Sequence, residues 1–323
     1  MTKKILLSGI QSTGTLHIGN YFGAIKQFVE LQDNYDTRIF VANFHSVTTI
    51  QDKEKLEKLT REIVIDYLAC GLDPEKVTLF LQSSIPEVTE LAWYFNCLIT
   101  VPYLMRAHSY KDKVANGKEP SAGLFTYPML MAADILIQDS EIVPVGQDQK
   151  QHIEFTRDVA TKFNHTYGET FKLPEAYILD DVSIVPGLDG QKMSKSYGNT
   201  IPLFAEDKDI EKLCMQVVTD SLSPADPKDP ETSNIFQIHK LFLNNVEKEE
   251  LAEKYRAGGL GYKEAKEMLA ESVKKFIGPI REKRKEIENN PDFVDQVLKQ
   301  GGQKAQAIAS KKLLEIRSKV GIL

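Results

Sequence analysis

The sequence predicts an α/β protein in which a doubly wound parallel sheet is followed by an all-helical segment. Up to residue 199, short apolar runs alternate with longer amphipathic stretches, the pattern of strands joined by helical crossovers. Beyond Asn199 the strand-like runs disappear and only helical periods remain. At 323 residues the chain exceeds the usual span of one hydrophobic core, so two units are expected, 1–200 holding the sheet and 201–323 holding the helices.

Lys4–Ile10 (KILLSGI) reads as the first strand and Gln11–Gly14 (QSTG) as the turn after it. From Leu16, the apolar residues Ile18, Phe22, Ile25, Val29 and Leu31 keep a helical period up to the Asp33-Asn34 break, so a helix begins at or just after His17. Arg38–Phe44 (RIFVANF) reads as a buried strand, Lys53–Gly71 as a helix with a glycine stop, and Val77–Gln82 (VTLFLQ) as a third strand. From Glu87 to about Ser121 the pattern is less regular, an insertion ending in the polar stretch KDKVANGKEPSAG. Alternation resumes with a helix over Tyr127–Ile137, a strand over Ile142–Val145, a helix over Asp148–Phe163 and strand structure over Ala176–Val185. Past the turn-rich linker Ser223–Ser233, helices are expected over Glu249–Tyr255, Tyr262–Glu288 and Pro291–Val320, with breaks at Gly258-Gly259 and Gly301-Gly302.

Hydrophobic residues at 42% and charged residues at 27% exclude a largely disordered chain. The amino-terminal MTKKILLSGI lacks a cleavage site and reads as a strand instead of a signal peptide, and no stretch is apolar for long enough to span a bilayer. A cytoplasmic protein without membrane contact is therefore expected. Cys70, Cys97 and Cys214 show no ligand spacing and read as reduced thiols. The net charge of −6 argues against a general nucleic-acid binder. From Arg281 onward, however, ten Lys or Arg face six Asp or Glu, which fits one region touching a phosphate backbone.

Two peptides about 175 residues apart carry the chemistry, Thr15-Leu16-His17-Ile18-Gly19-Asn20 and Lys192-Met193-Ser194-Lys195-Ser196. A strand, a turn and a helix start bearing His17, Gly19 and Asn20 form a place where phosphates approach backbone N–H groups and a favourable helix dipole. The second peptide sets two cations with hydroxyls between them after a glycine-containing turn (Pro186, Gly187, Gly190), a loop able to close over a triphosphate. Alone, the first peptide marks no more than a helix start. Together the two read as halves of one ATP clamp.

This pair resembles the HIGH and KMSKS signatures of the class I aminoacyl-tRNA synthetases, whose Rossmann-like sheet binds ATP at its carboxyl ends. Four further stretches, SGIQ (Ser8–Gln11), IGNYFGA (Ile18–Ala24), SAGLFTYPMLMAADIL (Ser121–Leu136) and VPVGQDQKQHIEFTRD (Val143–Asp158), resemble the bacterial tryptophanyl-tRNA synthetase family over essentially the whole chain. The resemblance implies ATP with Mg2+ as substrate and no tightly bound protein-ligated metal. It also implies L-tryptophan and tRNA(Trp) as partners, a helical anticodon-binding domain, and a homodimer with contacts from Glu87–Arg106.

On this resemblance His17, Asn20, Lys113, Lys192 and Lys195 form the catalytic set. ATP binding is expected from Gln11, Ser12, Thr13, Gly19, Asn20, Gly146, Asp148 and Gln149, together with Lys192, Met193, Ser194, Lys195 and Ser196. The amino-acid pocket is expected from Leu7, His45, Tyr127, Met131, Asp134 and Gln149, with Tyr127 and Gln149 on the ammonium group and Met131 and Asp134 on the indole. Asp134, set in the apolar run MLMAADILI, needs a donor to be buried, and an indole N–H is one. Leu7, Ala42–His45 and Gln147 depart from the commoner family pattern and leave the pocket walls and inhibitor sensitivity open. Three other readings remain: a tyrosyl-tRNA ligase, a small-molecule nucleotidyltransferase, and a silent paralogue that binds amino acid or tRNA.

Overall fold

A computed structural model of the chain describes residues 3–12, 14–107, 119, 121–146, 149–178 and 185–322. Among them β1 (Ile5–Ile10), β2 (Asp36–Val41), β3 (Val77–Leu81), β4 (Ile142–Pro144) and β5 (Glu175–Tyr177) form a parallel sheet in the order β3-β2-β1-β4-β5. The chain runs outward from β1 to β3 and then crosses back to β4 and β5. Strand order therefore reverses between β1 and β4, the position beyond whose carboxyl ends open α/β sheets bind their ligands.

Successive side chains on a strand face opposite ways, and both faces here are apolar. Leu6, Ile39, Val41 and Leu79 join one core cluster, while their neighbours Leu7, Phe40 and Phe80 join another.

His17 precedes α1 (Ile18–Asn20), which widens into a π-helical stretch, Tyr21–Ile25, and continues as α2 (Lys26–Leu31). β2 stops at Val41, short of the Phe44 expected, and a single turn, α3 (Asn43–Ser46), follows it. The Gln82 side-chain carbonyl draws in the Phe44 and His45 amides at 2.9 and 3.3 Å, which turns the backbone out of the strand. α4 (Lys53–Ala69) is capped by Asp52 on the Lys55 amide and leads to β3.

The stretch from Glu87, expected to be irregular, is helical in α5 (Glu87–Leu98) and α6 (Val101–Leu104). Val88, Leu91, Ala92 and Phe95 of α5 are buried at helical spacing, but Trp93 lies 65% exposed in their midst and obscures the period. α7 (Ala122–Ile137) begins before the expected Tyr127, capped by Ser121, and passes through Pro128. α8 (Lys150–Tyr167) runs beyond the expected Phe163. Of the strand expected over Ala176–Val185, β5 covers the start, and residues 179–184 lie outside the described set.

The helical region comprises α9 (Asp207–Met215), α10 (Asn234–His239), α11 (Asn245–Ala257), α12 (Tyr262–Glu288) and α13 (Pro291–Val320). The expected break at Gly258-Gly259 ends α11, whereas α13 runs straight through Gly301-Gly302. A Cβ on Gly301 would sit 1.8 Å from the Leu79 carbonyl oxygen, so glycine there serves close packing of α13 across β3, the sheet edge. Val294 and Val297 enter the first core cluster and Ala305, Ala309, Leu313 and Ile316 the second, so the last helix rounds the edge from one face to the other.

The Ser223–Ser233 segment, expected as a linker, is organised around a buried lysine, Lys228, whose ammonium donates to the Ser223 and Asp226 carbonyls at 3.0 Å. The basic excess after Arg281 is also largely structural. Arg281, Arg284, Lys285, Lys312, Arg317 and Lys319 all form ion pairs within the chain, Arg284 with the buried Asp66 of α4 at 2.7 Å.

Candidate active site

The first signature peptide pairs with the segment that follows the second. His17 pairs with Pro202 in an antiparallel bridge, the Ile18 amide donates to the Ile201 carbonyl at 3.0 Å, and the Leu203 amide donates to Leu16 at 2.9 Å. A Cβ on Gly19 would lie 2.9 Å from His17 Nδ1, so glycine there leaves room for the histidine ring, and it would meet the Met193 Cβ of the second peptide at 3.4 Å, ordinary contact distance. Asn20 Oδ1 accepts the His17 amide at 3.1 Å and fixes the backbone that carries the histidine.

His17 is buried, and its Nδ1 has no hydrogen-bond partner among the described residues. Burial, helped by the charge of Lys195, lowers its pKa to about 4, so the ring is neutral at physiological pH and can act as a donor but not as a cation. Lys195 reaches the β1–α1 turn, since a Cβ on Gly14 would be 3.7 Å from its Nζ. Desolvation holds its amine below the ordinary lysine range.

Lys192 closes a small hairpin through the Pro186–Lys192 bridge, and Lys195 follows it at the start of a 3-10 turn, Lys195–Tyr197. Met193 is buried in the core beneath it, Lys192 and Ser196 face outward, and Ser194 accepts the Ser196 amide. Sequence reasoning missed its clasp. Buried Asn199 accepts the Ser194 amide at 2.8 Å and donates to Asp189 at 2.7 Å and to the Lys192 carbonyl at 3.2 Å.

On the α7 side, buried Asp134 is already partnered. His45 Nε2 lies 3.1 Å from its Oδ2, and the Gln82 amide nitrogen is 2.8 Å from Oδ2 and 3.0 Å from Oδ1. This corrects the expectation that an absent indole would leave the carboxylate bare. A carboxylate accepts at about four positions, so Asp134 retains capacity, chiefly on Oδ1. Burial raises its pKa above the usual carboxylate range, and the His45 contact opposes that rise. His45 was expected at the end of a strand and instead sits on α3.

Tyr127, about two turns before Asp134 on α7, hydrogen-bonds His152 Nε2 at 2.9 Å, and its ring meets those of His45 and His152 edge-on at 6.1 and 5.3 Å. His152 is not among the residues expected at the site from the sequence, and its ring joins them through Tyr127. Met131 and Phe44 are partly buried against the same cluster as fully buried Leu7, which places Phe44 on the pocket side of the sheet. Gly146 is exposed after β4, and Gln149 precedes α8 with its amide on the Gly146 carbonyl at 2.9 Å.

Two expected ATP contacts sit differently. Ser12 is fully buried, its hydroxyl on Thr60 at 3.1 Å and its amide on Ser46 at 3.0 Å, so it braces the turn and presents no side chain to a ligand. Gln11 beside it is exposed. Thr13, Lys113, Gln147 and Asp148 lie outside the described residues.

The family model of class I tRNA synthetases (W and Y) matches residues 2–278. The Tryptophan--tRNA ligase of Fusobacterium nucleatum is 55% identical over 319 residues, spanning 98% of both chains. That of Rhodopirellula baltica is 50% identical over 98% of this chain and 99% of its own. The tryptophanyl-tRNA synthetase of Campylobacter jejuni, solved in complex with ADP and tryptophan, superposes with a TM-score of 0.92 at 47% identity, covering 98% of this chain and 99% of that one.

Proposed function

The chain belongs to the class I tRNA synthetase family of tryptophan and tyrosine enzymes, and we propose that it is the tryptophan member: it activates L-tryptophan with ATP and transfers it to the 3'-terminal ribose of tRNA(Trp). One observation carries the choice of chemistry. Two phosphate-typed peptides approach each other at Gly19 and Met193 and at Gly14 and Lys195, after the first strand of a sheet whose order reverses there, in a chain that also holds a buried carboxylate with acceptor capacity left over.

The substrate carboxylate is ionised at neutral pH and needs neither a protein nucleophile nor a general base. As it attacks the α-phosphate, charge grows on pyrophosphate, and Lys192 and Lys195 take it up while the neutral His17 ring offers an N–H. Lys113 would add a further cation. ATP enters as its Mg2+ complex, the metal held mainly by the phosphates, as is usual for this cation. Gly146 and Asp148 meet the adenosine, and Gln149 and Tyr127 hold the ammonium group. The transfer step then needs only that the adenylate and the terminal ribose share the site.

The helical region before α13 is assigned to the anticodon, while α13 buttresses the sheet. A homodimer is expected through α5 and α6, where Trp93, Val101 and Met105 are 65%, 59% and 48% exposed. Among the described residues no helix is long and apolar enough to cross a membrane. A cytoplasmic location follows from the substrates.

Amino-acid-dependent exchange of pyrophosphate into ATP tests the assignment. Faster exchange with tryptophan than with tyrosine is expected, and the reverse order would make the chain the tyrosine enzyme.

A further inference from the structure

Gln82 stands at the carboxyl end of β3 in a short 3-10 turn, Gln82–Ser84, and is 1% exposed. Its amide is used at both ends. The nitrogen donates to the two oxygens of Asp134 on α7, and the oxygen accepts the Phe44 and His45 amides of α3. That set of partners fixes the amide's orientation. Turned over, the group would oppose its oxygen to a carboxylate and its N–H bonds to two backbone N–H groups, and every contact would be repulsive.

The two segments are clasped a second time beside it. Asn43 Nδ2 donates to Ser83 Oγ at 2.8 Å, and the Ser83 amide donates to Asn43 Oδ1 at 3.0 Å. Gln82 therefore sits at the junction of β3, α3 and α7 with a defined direction. On Asp134 the donors crowd one oxygen, Oδ2 receiving both His45 and the shorter Gln82 contact, while Oδ1 receives only the longer one. A carboxylate held this way cannot turn about its own axis, and it offers Oδ1 to any further donor.

We propose that Gln82 is a positioning residue for amino-acid selection, locking the Asp134 carboxylate so that Oδ1 faces the indole N–H and holding His45 on the same carboxylate through α3. This rests on the reading of Asp134 as the acceptor for tryptophan. Gln82 touches no reacting atom, and its effect reaches the substrate through Asp134. Losing it frees the carboxylate to rotate toward His45 and loosens α3, so the discriminating hydrogen bond is weakened while the ATP side of the site, built from Gly19, Asn199 and the lysine loop, is untouched.

The test is a double-mutant cycle on Gln82→Met and Asp134→Asn, read by pyrophosphate exchange. Gln82→Met should raise the KM for tryptophan roughly 10- to 100-fold, the scale of a lost hydrogen bond to a charged group, with the KM for ATP and kcat within about threefold. In the Asp134→Asn background the same change should shift the KM for tryptophan by less than about threefold. If Gln82→Met lowers the melting temperature too far to assay, Gln82→Asn, which keeps the amide but shortens its reach, should show the same split. Equal losses for ATP and tryptophan, or an undiminished effect in the Asp134→Asn background, would make Gln82 merely structural and overturn the proposal. A wild-type chain that prefers tyrosine would instead overturn the functional reading on which it rests.

Discussion

Gly19→Ala is the smallest change that tests how tightly the first signature peptide packs around His17. The added methyl would stand 2.9 Å from His17 Nδ1 and 3.4 Å from the Met193 Cβ, so the histidine ring must retreat by about 0.5 Å to reach ordinary contact. The buried ring has little room to do so, and the strain of overpacking such a site is about 1–3 kcal/mol, a fall of several degrees in melting temperature. A misplacement of about 1 Å at a reacting geometry costs about 100-fold in rate, so half that distance should slow adenylate formation about 10-fold. Single-turnover formation of tryptophanyl-adenylate, followed alongside thermal unfolding, measures both. A rate within twofold of wild type with an unchanged melting temperature would refute the close packing of His17 on Gly19 and its part in the reaction.

Three further outcomes are expected. Asp134→Asn keeps a partner for His45 and Gln82 only by placing its NH2 where Oδ1 was, so kcat/KM for tryptophan should fall roughly 10- to 100-fold in pyrophosphate exchange, with the KM for ATP unchanged. Gly301→Ala drives a methyl into the Leu79 carbonyl at 1.8 Å and should destabilise the fold by about 3 kcal/mol or more in denaturant titration, and an unchanged midpoint would show that α13 does not press on β3. His17 and His239, both lowered to about 4 by burial, take up protons between pH 6.5 and 5 only when unfolded, so each makes stability fall as pH drops through that window. Asp66, raised to about 6, and Asp134, also raised by burial, act in the opposite sense. His239→Gln removes one of the destabilising contributions, so between pH 6.5 and 5 its melting temperature should fall less, or rise more, than that of the wild type, and an identical change in both would contradict the assignment.

How much of this was legible in the sequence depended on whether a signal was local. The helix start at His17, the strands at Ile5–Ile10 and Val77–Leu81, and Asp134 three residues after Met131 are written in short-range pattern and survive folding. Gln82 and Asn199 were not legible. Each is an ordinary polar residue at the end of an element, and its value comes from partners across the fold: Gln82 meets Asp134, 52 residues away, and Asn199 acts back across a turn on Ser194 and Asp189. Gly301-Gly302 misled for the same reason. A glycine pair reads as a helix break, but the carbonyl that requires it belongs to β3. Trp93 hid a helix because a large apolar residue on a solvent face breaks the expected stripe. The basic excess near the end suggested a phosphate surface, but tertiary pairing with Asp66, Glu90, Asp139 and Asp207 engages four of those ten cations, Arg284, Arg317, Lys312 and Arg281.

The central claim is that a carboxylate braced by His45 and Gln82 selects the indole N–H. It is tested most directly by pyrophosphate exchange with the tryptophan analogue whose indole nitrogen is replaced by sulfur, which matches the shape and lacks the donor. Because Asp134 keeps its two protein partners when that donor is missing, the loss should be smaller than for a bare carboxylate: kcat/KM about 100-fold below that for tryptophan, and nearly equal for the two substrates in Asp134→Asn. Exchange with the sulfur analogue within threefold of tryptophan in the wild-type enzyme would contradict the account.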